Sequence, residues 1–192
     1  LSNPSSGKMG YALAEVAYLS GAEVNLISGP VNIKPIEGVK LININTADEM
    51  LNEVKALIAN TDIFIGCAAV ADFKPIDFHK SKIKKDHNDE MSLKLIKNPD
   101  ILQYASDHMK EKLVIGFSAE TDNVIENAKI KLLKKNLNMI ICNDVSNKEI
   151  GFDSDNNEVH LITLDDVVKL TKTSKLKIAK QIIKSIEALI AN

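Results

Sequence analysis

The fold turns on Ile63-Phe64-Ile65-Gly66-Cys67-Ala68-Ala69-Val70-Ala71-Asp72-Phe73, followed by Lys80-Ser81-Lys82-Ile83-Lys84-Lys85. A short apolar run bounded by small residues reads as a buried strand over 62–67. Small residues after such a strand let a ligand come close to the backbone. Asp72 offers a carboxylate for a cation or a hydroxyl, and the lysines offer point charges for phosphate oxygens. This order of features suits the carboxyl end of a parallel strand, where open α/β sheets bind ligands. It points to a nucleotide site. The plainer alternatives are a turn aspartate and a solvated lysine loop.

Outward from that stretch, helical and strand patterns alternate, which predicts an α/β domain with a mainly parallel, Rossmann-like sheet and helices on both faces. A helix is predicted over 7–19, with Met9, Leu13, Val16 and Ala17 on one face and Ser5 or Ser6 as its cap. Strands follow over 22–28 and 39–44. Thr46-Ala47-Asp48-Glu49 is a capping box that opens a second helix. The segment 91–96 alternates like a half-exposed strand. Asn98-Pro99 reads as a cap followed by proline at the first helical position. Further strands are expected over 113–117, 137–142 and, as an edge, 159–164. Helices are expected over 123–135 and 176–190, the last with Ala179, Ile182, Ile183, Ile186 and Ile190 facing inward. Between strands, 79–90 is polar and aperiodic and reads as a mobile lysine flap. The chain enters a helix cap with no strand before it, so the first central strand of the sheet is expected to be missing from 1–192.

A length of 192 residues suits one domain, and 45% hydrophobic residues suffice for its core. Aromatics are 4% and tryptophan is absent, so the core is aliphatic. A net charge of −2 gives no global attraction to nucleic acid or membrane, and neither is expected as a partner. Cys67 and Cys142 lie in apolar runs, which argues against a disulfide framework and fits a reducing cytoplasm. The four histidines, His79, His87, His108 and His160, lack zinc-ligand spacing. Asp153, Asp155 and Asn157 imitate the start of a calcium loop, but Glu158 stands where glycine is required and Leu164 where the closing glutamate is.

Asn3-Pro4-Ser5-Ser6-Gly7-Lys8-Met9-Gly10 fails the P-loop pattern, because Met9 replaces the hydroxyl residue after Gly-Lys. Ser5, Ser6 and Gly7 at a helix start still offer hydroxyls and amides to an anion, or simply an ordinary cap. Lys131 and Lys135 lie one helical turn apart, and Phe117 ends the preceding strand. They read either as a surface pair and a core ring or as ligand contacts.

Taken together, Ser2-Asn3-Pro4-Ser5-Ser6-Gly7-Lys8-Met9-Gly10, Gly66 to Phe73, Lys82-Ile83-Lys84-Lys85, Lys97-Asn98-Pro99-Asp100-Ile101, Gly116-Phe117-Ser118-Ala119-Glu120-Thr121, Asn143-Asp144-Val145 and Gly151-Phe152-Asp153-Ser154-Asp155-Asn156-Asn157 resemble phosphopantothenoylcysteine synthetase of the bacterial, CTP-dependent type. They occur in the family's order over nearly the whole chain. The family also has a strand, a Gly-Gly-Thr loop and an arginine before the Ser-Asn motif, which this chain lacks.

The resemblance implies ligation of phosphopantothenate to L-cysteine through an acyl-cytidylate, with release of pyrophosphate and CMP. It implies Asn3 and Lys82 as catalytic residues. Ala68, Asp72, Lys82, Asn98, Pro99, Asp100, Ile101, Phe117, Lys131 and Lys135 would contact CTP. Ser5, Ser6 and Gly7 would meet phosphate or substrate, and magnesium would bridge the phosphates with Asp72 as its protein ligand. A homodimer is implied, and so is a fused decarboxylase domain carrying FMN in the natural protein. Two rivals are a nicotinamide-dependent reductase, opposed by the missing glycine fingerprint, and a non-catalytic nucleotide-binding module.

Overall fold

The computed structural model of the chain describes residues 5–76, 92–144 and 155–191. Asn3, Lys82 and the expected flap at 79–90 lie outside these residues. In chain order the elements are α1 (Lys8–Leu19), β1 (Asn25–Ser28), β2 (Lys40–Asn43), α2 (Ala47–Leu57), β3 (Ile63–Gly66), β4 (Phe73–Pro75), β5 (Leu95–Lys97), α3 (Ile101–His108), β6 (Leu113–Glu120), α4 (Val124–Lys134), β7 (Met139–Asp144), β8 (Asn156–Ile162), β9 (Val167–Ser174) and α5 (Lys175–Ile190).

The central sheet has the order β3-β6-β7-β8-β9. β3, β6 and β7 run parallel, with Ile63 beside Leu113 and Ile115 beside Met139. β8 and β9 extend it as antiparallel strands. A parallel pair, β1 with β2, and an antiparallel ribbon, β4 with β5, form separate ladders. The architecture is therefore α/β with helices on both faces of a parallel-rich sheet, and the antiparallel hairpin is what the alternation of patterns did not reveal. β8 is paired on both sides and is not the expected edge; β9 holds that place. β9 escaped the periodicity argument because Leu170 is its only buried side chain among polar neighbours.

α1 and α5 cover one face of the sheet. Met9, Leu13, Val16, Ile178, Ala179, Ile182, Ile183 and Ile186 pack there on Ile115, Ile141, Val159 and Leu161. Burying each such aliphatic chain is worth about 1.5–3 kcal/mol. Ile190, expected inside, is exposed at the end of α5. On the other face α3 and α4 enclose Ala105, Val114, Ala128, Leu132, Ile140 and Cys142. α2 and β1 share a third cluster with Ile101.

The helix starts follow local chemistry. Thr46 Oγ1 accepts from the Glu49 amide at 3.1 Å, and Glu49 returns a carboxylate to the Thr46 amide at 3.2 Å. α3 begins at Ile101, and its cap is Asp100, whose Oδ1 accepts from the Gln103 amide at 3.0 Å. This corrects the expectation for Asn98-Pro99: an aspartate three residues before a free amide is a strong cap, and Asn98 is used elsewhere. α1 begins at Lys8 with Gly7, rather than Ser5 or Ser6, as its cap residue, and the Gly7 amide donates to Ser5 Oγ at 3.5 Å. Gly7 has φ of 73°, and a Cβ there would lie 2.8 Å from Val31 Cγ1, so the position requires glycine.

Candidate active site

All three parallel strands of the central sheet end at one edge. β3 ends at Gly66, β6 at Glu120 and β7 at Asp144. The N-termini of α1 and α5 reach the same edge, because Lys8 Nζ bonds Asp155 Oδ1 at 2.6 Å and the Lys175 amide donates to the Asp155 carbonyl at 3.0 Å. Lys8 holds the Asp155 carboxyl below its usual range. Asn157, 2% exposed, donates to Asn143 Oδ1 at 3.2 Å and also touches Met9 Sδ, which fixes the start of α1 against β7 and β8. Ser5, Ser6 and Gly7 thus stand at the carboxyl edge on the α1 side.

The loop after β3 is tied down from the other face. The Asn98 amide donates to the Asp72 carbonyl at 2.8 Å, and Asn98 Nδ2 donates to the Ala71 carbonyl at 2.8 Å. Asn98 Oδ1 is buried without a hydrogen-bond partner among the described residues. Ala68 and Asp72 are exposed. Beyond Pro99, Asp100 takes both oxygens to Lys135 Nζ, at 2.7 and 2.8 Å. Burial pushes the Asp100 carboxyl up, but the Lys135 ammonium and the Gln103 amide, with the field of Lys134, outweigh it and leave the group below its ordinary value. Lys131 Nζ bonds Glu120 Oε1 at 2.5 Å. Ala71, Asp72, Asn98, Asp100 and Lys135 therefore form one connected group, with Glu120 and Lys131 one turn further along α4.

Phe117 is separate from that group. Its ring packs partly buried against the α1 and α5 core, on the opposite face of the sheet from Lys131 and Lys135. Gly66 also departs from its expected use. A Cβ at Gly66 would lie 3.2 Å from Leu102, and one at Gly116 would lie 2.9 Å from both Leu102 and Leu137. At these two positions the missing side chains let α3 seat on the sheet.

The sequence reading missed three positions at this edge. Glu120 shares the β6 face with Gly116 by period-two parity, a signal visible in the sequence. Nothing in the sequence places it beside Lys131. Asn157 and Lys175 were hidden because each acts on a residue far away in the sequence, Asn157 on Met9 and Lys175 on Cys67. Lys175 is 8% exposed at the first turn of α5. It lies close enough to Cys67 to oppose the effect of burial, which pushes that thiol up to about 12. Burial therefore favours the neutral thiol of Cys67, just beyond the end of β3.

A metal has few protein ligands here. No group of three or more His, Cys, Asp or Glu side chains converges among the described residues. Magnesium bound chiefly by phosphates and water needs only one or two carboxylates, and the exposed Asp72 fits such a role. No helix among the described residues is long and apolar enough to cross a membrane.

The model of one family, described as the DNA/pantothenate metabolism flavoprotein C-terminal domain, matches residues 1–190. The chain is 44% identical over 191 residues to the coenzyme A biosynthesis bifunctional protein CoaBC of Vibrio parahaemolyticus, covering 98% of this chain and 48% of that protein. It is 46% identical over 170 residues to the CoaBC protein of Escherichia coli, covering 86% of this chain and 41% of that one. The chain thus spans about half the length of the curated relatives it matches. Among solved structures, a crystal structure of the C-terminal domain of a CoaBC protein superposes with a TM-score of 0.83 at 38% identity, covering 100% of this chain and 86% of that one. A Cab2 variant solved with phosphopantothenate-cysteine shares the fold, with a TM-score of 0.72 at 18% identity, covering 97% of this chain and 78% of the other.

Proposed function

This chain belongs to the family of the DNA/pantothenate metabolism flavoprotein C-terminal domain, and on that premise we propose that it joins phosphopantothenate to L-cysteine at the expense of CTP. The observation that carries the reading is the connected group at the carboxyl edge. Asn98 fixes the loop of Ala68 and Asp72, while Asp100 and Glu120 hold two lysines beside it.

In the first step a carboxylate oxygen of phosphopantothenate attacks the α-phosphorus of CTP. The bond to the β-phosphate breaks, pyrophosphate leaves and an acyl-cytidylate remains. In the second step the amine of cysteine attacks the acyl carbon, loses a proton, and CMP leaves with its electron pair. Both steps join poor partners, so positioning and charge neutralisation supply the catalysis. Lys131 and Lys135 meet the triphosphate. Ala68, Asp72, Asn98, Pro99, Asp100 and Ile101 frame the nucleoside, and Phe117 closes the edge from the α1 side. Ser5, Ser6 and Gly7, at the start of α1, take the phosphate of the other substrate. Asn3 steadies the acyl oxygen, and Lys82 neutralises charge at the reacting phosphate. Magnesium, when bound by Asp72 and the phosphates, lowers the negative charge of the triphosphate.

The proposal extends to a homodimer in the cytoplasm and to a full-length protein in which an FMN-dependent decarboxylase domain is fused to this one. The test is pyrophosphate release by the full-length protein with magnesium and phosphopantothenate, comparing CTP with ATP, with and without cysteine. Release that requires phosphopantothenate, prefers CTP and yields CMP with ligated product on adding cysteine supports the reading. Folded protein that binds CTP but releases nothing overturns it.

A further inference from the structure

We propose that Glu120 is the positioning residue for Lys131, holding its ammonium at the carboxyl edge with donors left over for a phosphate; the identity of that phosphate rests on the reading above. Glu120 is the last residue of β6, and its side chain points to the face that α4 covers. Its side chain is 12% exposed, whereas that of Lys131 is 47% exposed. The carboxylate is thus mostly buried and the ammonium is presented.

The imbalance fixes what each partner does. A mostly buried carboxylate left without a cation is unfavourable, so Lys131 does not leave Glu120 when an anion arrives. An ammonium has three N–H donors. One is spent on Glu120 Oε1, and two remain on the half-exposed side. A lysine free on a helix surface loses rotamer freedom whenever it binds. Here that cost is met on folding, because β6 is anchored in the core by Val114, Ile115 and Gly116, all buried. The consequence is a pre-set phosphate contact. The interaction does not exchange one counter-ion for another.

Three variants of the full-length protein test this: Glu120→Gln, Glu120→Met and Lys131→Met, with the Glu120→Met/Lys131→Met double variant. Glutamine keeps an acceptor for Lys131, and methionine removes it. The KM for CTP is expected to rise on the order of tenfold in Glu120→Met, the scale of one charge-assisted hydrogen bond, with kcat within about twofold. Glu120→Gln stays near the parent, and Glu120→Met adds nothing once Lys131 is already methionine. An equal rise in both backgrounds overturns the proposal, because a merely structural residue acts additively.

A second readout needs neither nucleotide nor activity. With selectively labelled lysine, the ε-methylene of Lys131 is expected to be ordered in the parent and in Glu120→Gln, and mobile on the ps–ns timescale in Glu120→Met. Unchanged order in Glu120→Met overturns the proposal. If Lys131→Met leaves the KM at the parent value, the nucleotide contact of Lys131 fails, and the methylene order still decides whether Glu120 positions it.

Discussion

Lys131 on α4 and Lys135 at its C-cap stand one turn apart, each bonded to a single carboxylate, yet the burial of their pairs is inverted. Glu120 is 12% exposed and Lys131 47%, while Asp100 is 53% exposed and Lys135 25%. In the first pair the acid is mostly buried and the base is offered to the edge. In the second the base lies against the protein, and the acid, already capping α3, faces outward. The same two residue types thus give two devices. One presents a cation. The other also ties the end of α4 to the start of α3, so Lys135 reaches a phosphate only from within that tie.

The comparison is sharpened first by separating chemistry from binding. Lys82→Gln, which lies outside both pairs, should lower the rate of ligation by roughly 10²–10³-fold, the scale of removing one group that stabilises transition-state charge. Its thermal stability should be unchanged, as measured by calorimetry. Activity near the parent would remove Lys82 from the mechanism.

The next largest effect distinguishes the two pairs directly. Lys131→Met leaves the mostly buried Glu120 without its cation and should destabilise the fold by about 1.5–2 kcal/mol, the scale of a hydrogen bond to a charged group. Lys135→Met strands a half-exposed carboxylate and should cost no more than about 1 kcal/mol. Denaturant unfolding of both variants reads the difference, and equal losses would break the comparison.

A smaller effect belongs to the cap. Asp100→Ala should cost about 1 kcal/mol through the lost bond to the Gln103 amide, whereas Asp100→Asn keeps the cap and should cost less. If the two variants are equally stable in thermal melts, Asp100 stabilises through Lys135 rather than through α3.

The smallest effect is in acid. The Asp100 carboxyl sits below its ordinary value in the folded protein, so its contribution is fully present above about pH 4. It is lost as the pH falls through the folded value. Stability measured from pH 6 to pH 2 should therefore fall slightly more steeply in the parent than in Asp100→Asn, by under about 1 kcal/mol for so exposed a group. Parallel curves would mean that the pair does not couple to folding.

Much of this molecule could be read before it was seen in three dimensions. The inward face of α5 and the capping box of α2 are local patterns, set by side-chain periodicity and by hydrogen bonds within four residues, whereas β3, read as a buried strand, is only half-buried. At Gly66 and Gly116 the sequence shows that a side chain is missing without showing what fills the space, and Leu102 fills it. Phe117, Lys131 and Lys135 read either as a core ring with surface lysines or as ligand contacts, and packing puts the ring against the core on the face opposite the two lysines. Asn3 and Lys82 lie outside the described residues, and their roles rest on the resemblance.

The sequence by itself determined the alternation of helices and strands, the aliphatic core and the motif set that marks the family, because these depend on residue order and short-range chemistry. Only the tertiary structure decided that β8 and β9 turn antiparallel, that Asp100 and not Asn98 caps α3, and that a mostly buried Glu120 stands behind Lys131. Those outcomes depend on which surfaces exclude water once distant segments pack, and burial is a property of the assembled layers rather than of any segment alone.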